Sequence, residues 1–552
     1  MRCALTIVLL IAAPAAAVAE SDFALFALRT SDKLTNHSRP MSPLRGIKLA
    51  GARGETVAAQ FAITAVKGCE SATLSTLWFG GLRPAAHPVQ FLTLKEGELR
   101  AEVVSNGFTA RFTPERKVVP VWVTVGIPQD TTAGDYRGVV TVMSANQQAR
   151  ISVEVEVYDF DLPKQQHLPT DFAFRPGKVW AYFNDTPGND DRWWEHMTFG
   201  RYSRWRAKLM EYRITPQPYM DSPPAKGLDS MAYQCWLDGS WDGETLMPDW
   251  TLFDRQVEDQ FANGAPMVRL GYTSSPEPDS DRWCFWQTWL PQLERHVRDE
   301  GWERRCFIYQ TDEVVPDQFP GFVQRGQDIG RLAPSVKRVT VIQHPYPEGI
   351  NAVTDIWVTT MGVFSSNQQR AHDLQAQGDE VWVYVCCSGA PPFSELYIHE
   401  DGLNHRLLPW IIRKHGIQGL LYYGCCFWTD QYRARLADVE EDGILSPTWG
   451  LTNGQYDGGG VLLYPGGKRI EDEPQVSLRL ALLGQGLQDW EYFWLLEDLI
   501  RRGRGTEAQR KTARALLEVP NSVVAGCGEF TTDETRLEAH KAKLARMIET
   551  MQ

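Results

Sequence analysis

The run CFIYQTDEVVPD, residues 306–317, decides how this chain is read. An apolar, aromatic stretch leads into two adjacent carboxylates, Asp312 and Glu313, and then meets Pro316. That order predicts a buried strand delivering two acids to its C-terminal tip. In a parallel barrel enzyme, chemistry sits at that end of the strands. Paired carboxylates are also the groups that cut glycosidic bonds. Acidic dipeptides are common on protein surfaces, so the flanking segments must supply the context.

Outward from this run, strand-like and helix-like segments alternate from about residue 170. Strands are expected at 170–175, 214–219, 267–272, 306–312, 338–344, 355–360, 381–387 and 419–425, with helices between them at 201–212, 286–300 and 367–377. Eight such units indicate a (β/α)8 barrel. Pro216 and Pro218 make the second strand irregular. The long stretch 220–266 is expected to help build a substrate site. Before the barrel, residues 56–63, 119–127, 136–143 and 149–160 are β-branched and aromatic, separated by turn signals such as Pro128 and Ala133-Gly134-Asp135. Helical periodicity is absent there, so an antiparallel β-sandwich is expected. A long helix is expected from about 476 to 502, with Phe493, Leu496 and Ile500 on one face. The expected fold is thus multidomain, β and α/β: signal peptide 1–19, sandwich 20–165, TIM-like barrel 166–505 and helical tail 506–552.

Composition narrows the function. The chain has 552 residues and a net charge of −13. Its pI of about 5.4 argues against nucleic acid or an anionic membrane as the main partner. Its 20 tryptophans offer flat apolar faces suited to sugar rings, although many must serve the core. Arg2, the apolar run 4–17 and Ala17-Val18-Ala19 read as a secretory signal, so the mature protein is expected to be secreted or periplasmic from Glu20. The apolar run is too short for a membrane span. Removing Cys3 leaves nine of the ten cysteines. The doublets Cys386-Cys387 and Cys425-Cys426 lack metal-site spacing. They are either disulfide partners or small buried side chains on neighbouring strands. The glycine-rich run 454–466 lacks a Walker lysine arrangement, and no cofactor is expected.

Adjacency of the two acids constrains mechanism. An inverting pair needs carboxyl groups about 6.5–9.5 Å apart and a direct-displacement pair about 5–5.5 Å, on opposite sides of the bond. Neighbouring Cα atoms are about 3.8 Å apart, so these two side chains are poorly placed to flank one bond. A better division makes Glu313 the general acid, while Asp312 orients and polarises a 2-acetamido group whose carbonyl oxygen attacks C1. Repulsion between the two acids would help keep the acid protonated.

Several longer segments stand out in order: GARGETVAAQFAI (51–63), PVWVTVGIPQDTTAGDYRGVVTV (120–142), YQTDEV, DIWVTTMGVF (355–364), GDEVWVYVCC (378–387), GIQGLLYYGCCFW (416–428), GGGVLLYPG and SLRLALLGQGLQDWEYFWLL (477–496). In order and spacing they resemble the glycoside hydrolase family 123 catalytic region, also described as domain of unknown function 4091. The resemblance runs across nearly all of the mature chain. It implies a retaining β-N-acetylgalactosaminidase using substrate assistance, with the polarising role on Asp312 and the acid/base role on Glu313. Val314 stands where many members carry proline.

Further substrate-binding candidates are Arg175 ending strand one, His344 ending strand five, Trp357 on strand six, Tyr384 near the rim of strand seven, and Trp428 after strand eight. Asp489-Trp490-Glu491 reads as a cap or ion-pair cluster on a helix. The expected partner is an oligosaccharide or glycoconjugate. Two alternatives stay open: a glycosidase for a sugar without an acetamido group, using Asp355 or Glu395 as a third acid, and a non-catalytic carbohydrate-binding protein.

Overall fold

The computed structural model describes residues 21–66, 68–78, 80–94, 97–184, 199–218, 240–241, 246–273, 281–386, 391–428 and 457–552. The expected signal peptide and most of the long stretch after the second barrel strand lie outside these residues.

Alternating apolar residues build the N-terminal sandwich. A seven-stranded antiparallel sheet includes Thr56–Ala65 and Val118–Gly126 at its centre. Val57, Phe61, Ile63, Val119, Val121, Val123 and Val125 point into the core shared with the second sheet. Ala58, Ala62 and Trp122 point the other way, into the core shared with the rest of the chain. Both faces of this sheet are therefore buried. The second sheet has five strands, and in it Gln148–Asp161 pairs parallel with Ile47–Arg53. The expected antiparallel sheets are present, and this parallel pair departs from them because a long excursion through the other sheet separates the two strands in the chain. Leu463–Tyr464 and Gln475–Ser477 extend the seven-stranded sheet from the far end of the sequence.

Eight parallel strands form the next layer: β1 (Thr170–Phe174), β2 (Pro216–Pro218), β3 (Val268–Tyr272), β4 (Cys306–Thr311), β5 (Lys337–Ile342), β6 (Ile356–Thr360), β7 (Glu380–Tyr384) and β8 (Leu420–Tyr422). Their order is 2-1-8-7-6-5-4-3. Every neighbour in a closed ring is hydrogen-bonded except β2 and β3, so the barrel is nearly closed among the described residues. The regular (β/α)8 pattern is also interrupted between β5 and β6. There the link is a 3₁₀ turn, Glu348–Val353, rather than an α-helix. Pro345, Pro347 and Gly349 crowd this short connection and disfavour a helix.

Parity decides which side chains fill the barrel. Phe307, Tyr309, Val339, Val341, Ile356, Val358, Trp382, Tyr384 and Leu421 pack together inside it. Intervening residues face the helices: Val268, Leu270 and Ile308 pack on Trp283, Trp286 and Trp289 of the helix Asp281–Asp299. Gly419 is required beside Trp382, since a Cβ there would come within 2.2 Å of the indole. Cys425 and Cys426 are buried thiols, and no disulfide joins the described cysteines. Cys387 lies outside the described residues.

The helix Leu478–Arg501 locks the layers together. The Ser477 hydroxyl caps it by accepting from the Leu480 N–H at 3.0 Å. Asp489 on this helix is fully buried and pairs with Arg406 at 3.0 Å and Lys541 at 2.9 Å. Lys541 also reaches Glu55 of the sandwich at 2.6 Å. Glu491 accepts from His167. The acidic cluster around Trp490 is thus an ion-pair hub joining the sandwich, the barrel and the tail helix Glu534–Met551.

Candidate active site

β4 delivers the acidic pair to the open, C-terminal end of the barrel. The strand ends at Thr311, and its register with β5 slips between Tyr309 and Thr311. Such a bulge re-aims the following side chains. Gln310 turns outward and donates to Val353 O at 2.8 Å and Thr340 Oγ1 at 3.2 Å. Asp312 instead reaches back over the barrel, where its Oδ1 accepts from the Tyr309 hydroxyl at 2.8 Å. Glu313 follows with φ of +48°. That left-handed conformation costs a non-glycine residue roughly 1–2 kcal/mol and is found at functional sites. It brings the Glu313 carboxylate within 3.0 Å of the Tyr384 hydroxyl, which donates to Oε1.

A cavity of about 210 Å³ opens over these groups, lined by Arg175, Arg269, Tyr309, Asp312, Glu313 and Tyr384, with Ala173, Val341, Cys386 and the run Leu421-Tyr422-Tyr423 completing it. Strands β1, β3, β4, β5, β7 and β8, or the residues that follow them, all contribute. Asp312 is open to solvent at the rim, yet loss of hydration within the cleft raises its pKa above the ordinary carboxylate value. The Tyr309 hydrogen bond opposes this, Glu313 reinforces it, and Arg269 and Arg175 pull the pKa down. Burial and Glu313 raise the Tyr384 phenol far above its usual range, so it stays protonated and serves as a donor.

The structure therefore brings together Asp312, Glu313, Tyr384 and Arg175 and separates the remaining candidates. Trp357 does not enter the cleft. Its neighbours Ile356 and Val358 point into the barrel, so the indole faces the helices and donates to Asp379 Oδ2 at 2.9 Å. Trp428 is core as well: it donates to Leu463 O at 3.2 Å and packs edge-on against Tyr182 and Trp205. The adjacent Phe427 ring instead packs against Arg175, its centroid 4.1 Å from the guanidinium carbon. His344 is exposed two residues past β5 and is not among the cleft-lining residues. Asp355 pairs with Arg338 at 2.8 Å at the opposite end of the barrel, just before β6 begins. Glu395 is buried and also absent from the lining.

Sequence reading missed Tyr309, Arg269 and Tyr423. Tyr309 was legible in principle, since it alternates with Phe307 on β4. Its link to Asp312 depends on the bulge, which leaves no local sequence signal. Among the described residues, no group of three or more His, Cys, Asp or Glu side chains is arranged to hold a metal.

Residues 267–496 match the family model of the glycoside hydrolase 123 catalytic domain. This is a family 123 catalytic region. It begins at β3 and ends within the helix Leu478–Arg501, so β1 and β2, with Asp171 and Arg175, lie before it. A solved structure of a family 123 glycoside hydrolase from Clostridium perfringens, studied for glycolipid glycan hydrolysis, is 14% identical and superposes with a TM-score of 0.63. The match covers 96% of this chain and 97% of that one, so the fold is shared from sandwich to tail. A bacterial Ig-like domain containing GH10 xylanase from termite gut is 9% identical, covers 80% of this chain and 99% of its own, and has a TM-score of 0.31. A Bacteroides fragilis protein described as a β-galactosidase is also 9% identical, over 67% of this chain and 53% of its own, with a TM-score of 0.28. No curated protein matches the chain in sequence. Residues 267–496 thus carry the catalytic domain of a glycoside hydrolase family, whose members act on carbohydrate. No helix among the described residues is long and apolar enough to cross a membrane.

Proposed function

We propose that this chain is an exported, exo-acting, retaining β-N-acetylhexosaminidase, with β-linked N-acetylgalactosamine as its favoured terminal sugar. One observation carries the reading: Asp312 and Glu313 are adjacent on one side of the cleft, and no other carboxylate lines it among the described residues. A substrate nucleophile supplies what the opposite side lacks. The acetamido carbonyl oxygen attacks C1 as the glycosidic C–O bond breaks and Glu313 protonates the departing oxygen. Asp312 accepts the amide N–H and stabilises the positive charge that develops there. Water then opens the oxazoline at C1, losing its proton to Glu313, and the β configuration is restored. Tyr384 holds the Glu313 carboxylate toward the leaving group. The family 123 relative was studied for glycolipid glycan hydrolysis, which makes glycolipid glycans a substrate class to test here. Export is supported by the signal-like pattern of residues 1–19.

The test is nitrophenol release from matched β-N-acetylgalactosaminide, β-N-acetylglucosaminide and β-galactoside, with Asp312→Asn beside the native enzyme. Turnover confined to acetamido sugars and lost in the variant is expected. Turnover of the plain galactoside would sink substrate assistance. Binding of glycans without any hydrolysis would favour a carbohydrate-binding protein.

A further inference from the structure

We propose that Asp171 and Arg269, a buried ion pair on the barrel floor, are positioning residues for Asp312. The pair holds the Tyr309 ring, and the ring's hydroxyl and the guanidinium charge together set the orientation and charge of the Asp312 carboxylate. This inference rests on the role given to Asp312 above and extends it to side chains beneath the sugar site.

Strand parity places the pair. Phe172 and Phe174 of β1 pack outward on the helices, so Asp171 and Ala173 face the barrel interior. Val268 and Leu270 of β3 pack outward, so Arg269 faces inward. The Arg269 guanidinium donates to Asp171 Oδ2 through Nη2. Asp171 is 0% exposed and Arg269 3%. Their register partners on the adjoining strands, Leu421 beside Asp171 and Phe307 beside Arg269, belong to the apolar barrel interior. Burying two charges carries a desolvation penalty that an apolar pair of similar volume avoids, so stability gives little reason for this pair.

Its reach upward gives a reason. The Arg269 Cζ lies 4.5 Å from the centroid of the Tyr309 ring, within cation–π range. A planar guanidinium tied to Asp171 keeps its charge and its orientation, and so fixes the ring stacked on it. The Tyr309 hydroxyl then donates to Asp312 Oδ1 at 2.8 Å. Burial holds the Tyr309 phenol well above its ordinary pKa, and the adjacent Asp312 charge adds to this, so the hydroxyl remains a donor. The line Asp171–Arg269–Tyr309–Asp312 thus runs from β1 through β3 to the tip of β4. Among the described residues, the other charged groups acting on Asp312 are Glu313, next in the chain, and Arg175 from the end of β1, while Tyr384 of β7 holds Glu313. Substrate assistance needs Asp312 ionised, and loss of hydration within the cleft disfavours that form. The floor works against this penalty.

The experiment measures kcat/KM against pH on whichever of the three nitrophenyl sugars the native enzyme turns over fastest. Asp312→Asn, Tyr309→Phe, Asp171→Asn, Arg269→Gln and Arg269→Lys are compared, with melting curves to verify folding. The acidic limb reports ionisation of Asp312 in the free enzyme. Tyr309→Phe is expected to move that limb to higher pH and to cut kcat about 10-fold with little change in KM, the size of one lost hydrogen bond to a charged group. Arg269→Gln is expected to move it the same way, and Arg269→Lys, which keeps the charge but not the planar stack, to move it less. Asp171→Asn is expected to move it to lower pH, because an unopposed Arg269 charge favours the carboxylate. If Arg269→Gln does not fold, Tyr309→Phe, which removes a single oxygen, decides with Asp171→Asn. Acidic limbs at the native position in both, with Asp312→Asn inactive, would overturn the floor's role and leave that of Asp312 intact. Full activity in Asp312→Asn would overturn both.

Discussion

The Tyr384 hydroxyl donates to Glu313 Oε1 across 3.0 Å, joining residues 71 apart in sequence. β7 thereby fixes the acid that β4 presents. Replacing Tyr384 by Phe removes the donor and leaves the ring in the barrel core. The expected result is a kcat lowered by about 10-fold on an oligosaccharide, from the loss of one hydrogen bond to a charged group, with KM nearly unchanged. A change confined to KM in steady-state kinetics would place Tyr384 on the sugar instead.

Glu313→Gln removes the proton donor without altering the shape of the site. Turnover of substrates with poor leaving groups should fall by about 10²–10⁴-fold, the range for lost acid catalysis. A nitrophenol departs without protonation, so its release should suffer less. Equal losses on both substrate types would argue that Glu313 does not protonate the leaving oxygen.

Asp312→Asn should abolish turnover of both kinds of leaving group, because orienting the acetamido group precedes departure. It should also stabilise the fold at neutral pH. The folded pKa of Asp312 is raised, chiefly by loss of hydration. A raised carboxyl pKa means that the native state binds the proton more tightly than the unfolded chain. Its favourable contribution is therefore present at low pH and lost as pH rises through the unfolded and then the folded value. Melting curves should show Asp312→Asn gaining on the native enzyme as pH rises from about 3 to 7, the range spanning the unfolded carboxyl pKa. A constant difference across that range would contradict the assignment.

The left-handed backbone at Glu313, φ +48°, supplies a separate stability test. Glycine adopts this region without a Cβ clash and alanine does not. Glu313→Gly should be more stable than Glu313→Ala by about 1 kcal/mol, measured by denaturant unfolding. The reverse order would mean that the strain is absent.

The hub at Asp489 makes a structural prediction. Arg406 and Lys541 hold the Asp489 carboxyl below its usual pKa, against the cost of burial. Asp489→Asn should leave two buried cations short of a partner and destabilise the protein by about 3–5 kcal/mol. Because the folded pKa is depressed, that contribution exists above the unfolded pKa and disappears as pH falls through the folded one. Thermal unfolding of native and Asp489→Asn protein should therefore converge in acid.

Local sequence determined the strands and the place of the acids. Apart from the Pro-Gln-Pro of β2, the barrel strands lie in apolar runs bounded by turn residues, and the run at Cys306–Thr311 ends where Asp312 begins. Burial of such a run requires no knowledge of its partners, so the barrel layer and the acidic tip were legible from the local order of residues. Tertiary structure decided which aromatic rings meet the cleft. Trp357 and Tyr384 sit on equally hydrophobic strands, and only the inward or outward parity set by strand pairing sends one to the helices and the other to Glu313. The bulge after Tyr309 likewise exists only against β5. The pairing of Asp171 with Arg269 spans 98 residues and requires the sheet to curl until β1 and β3 face each other across its interior. Side-chain direction in a barrel is a property of closure and register, which no single segment of the chain contains.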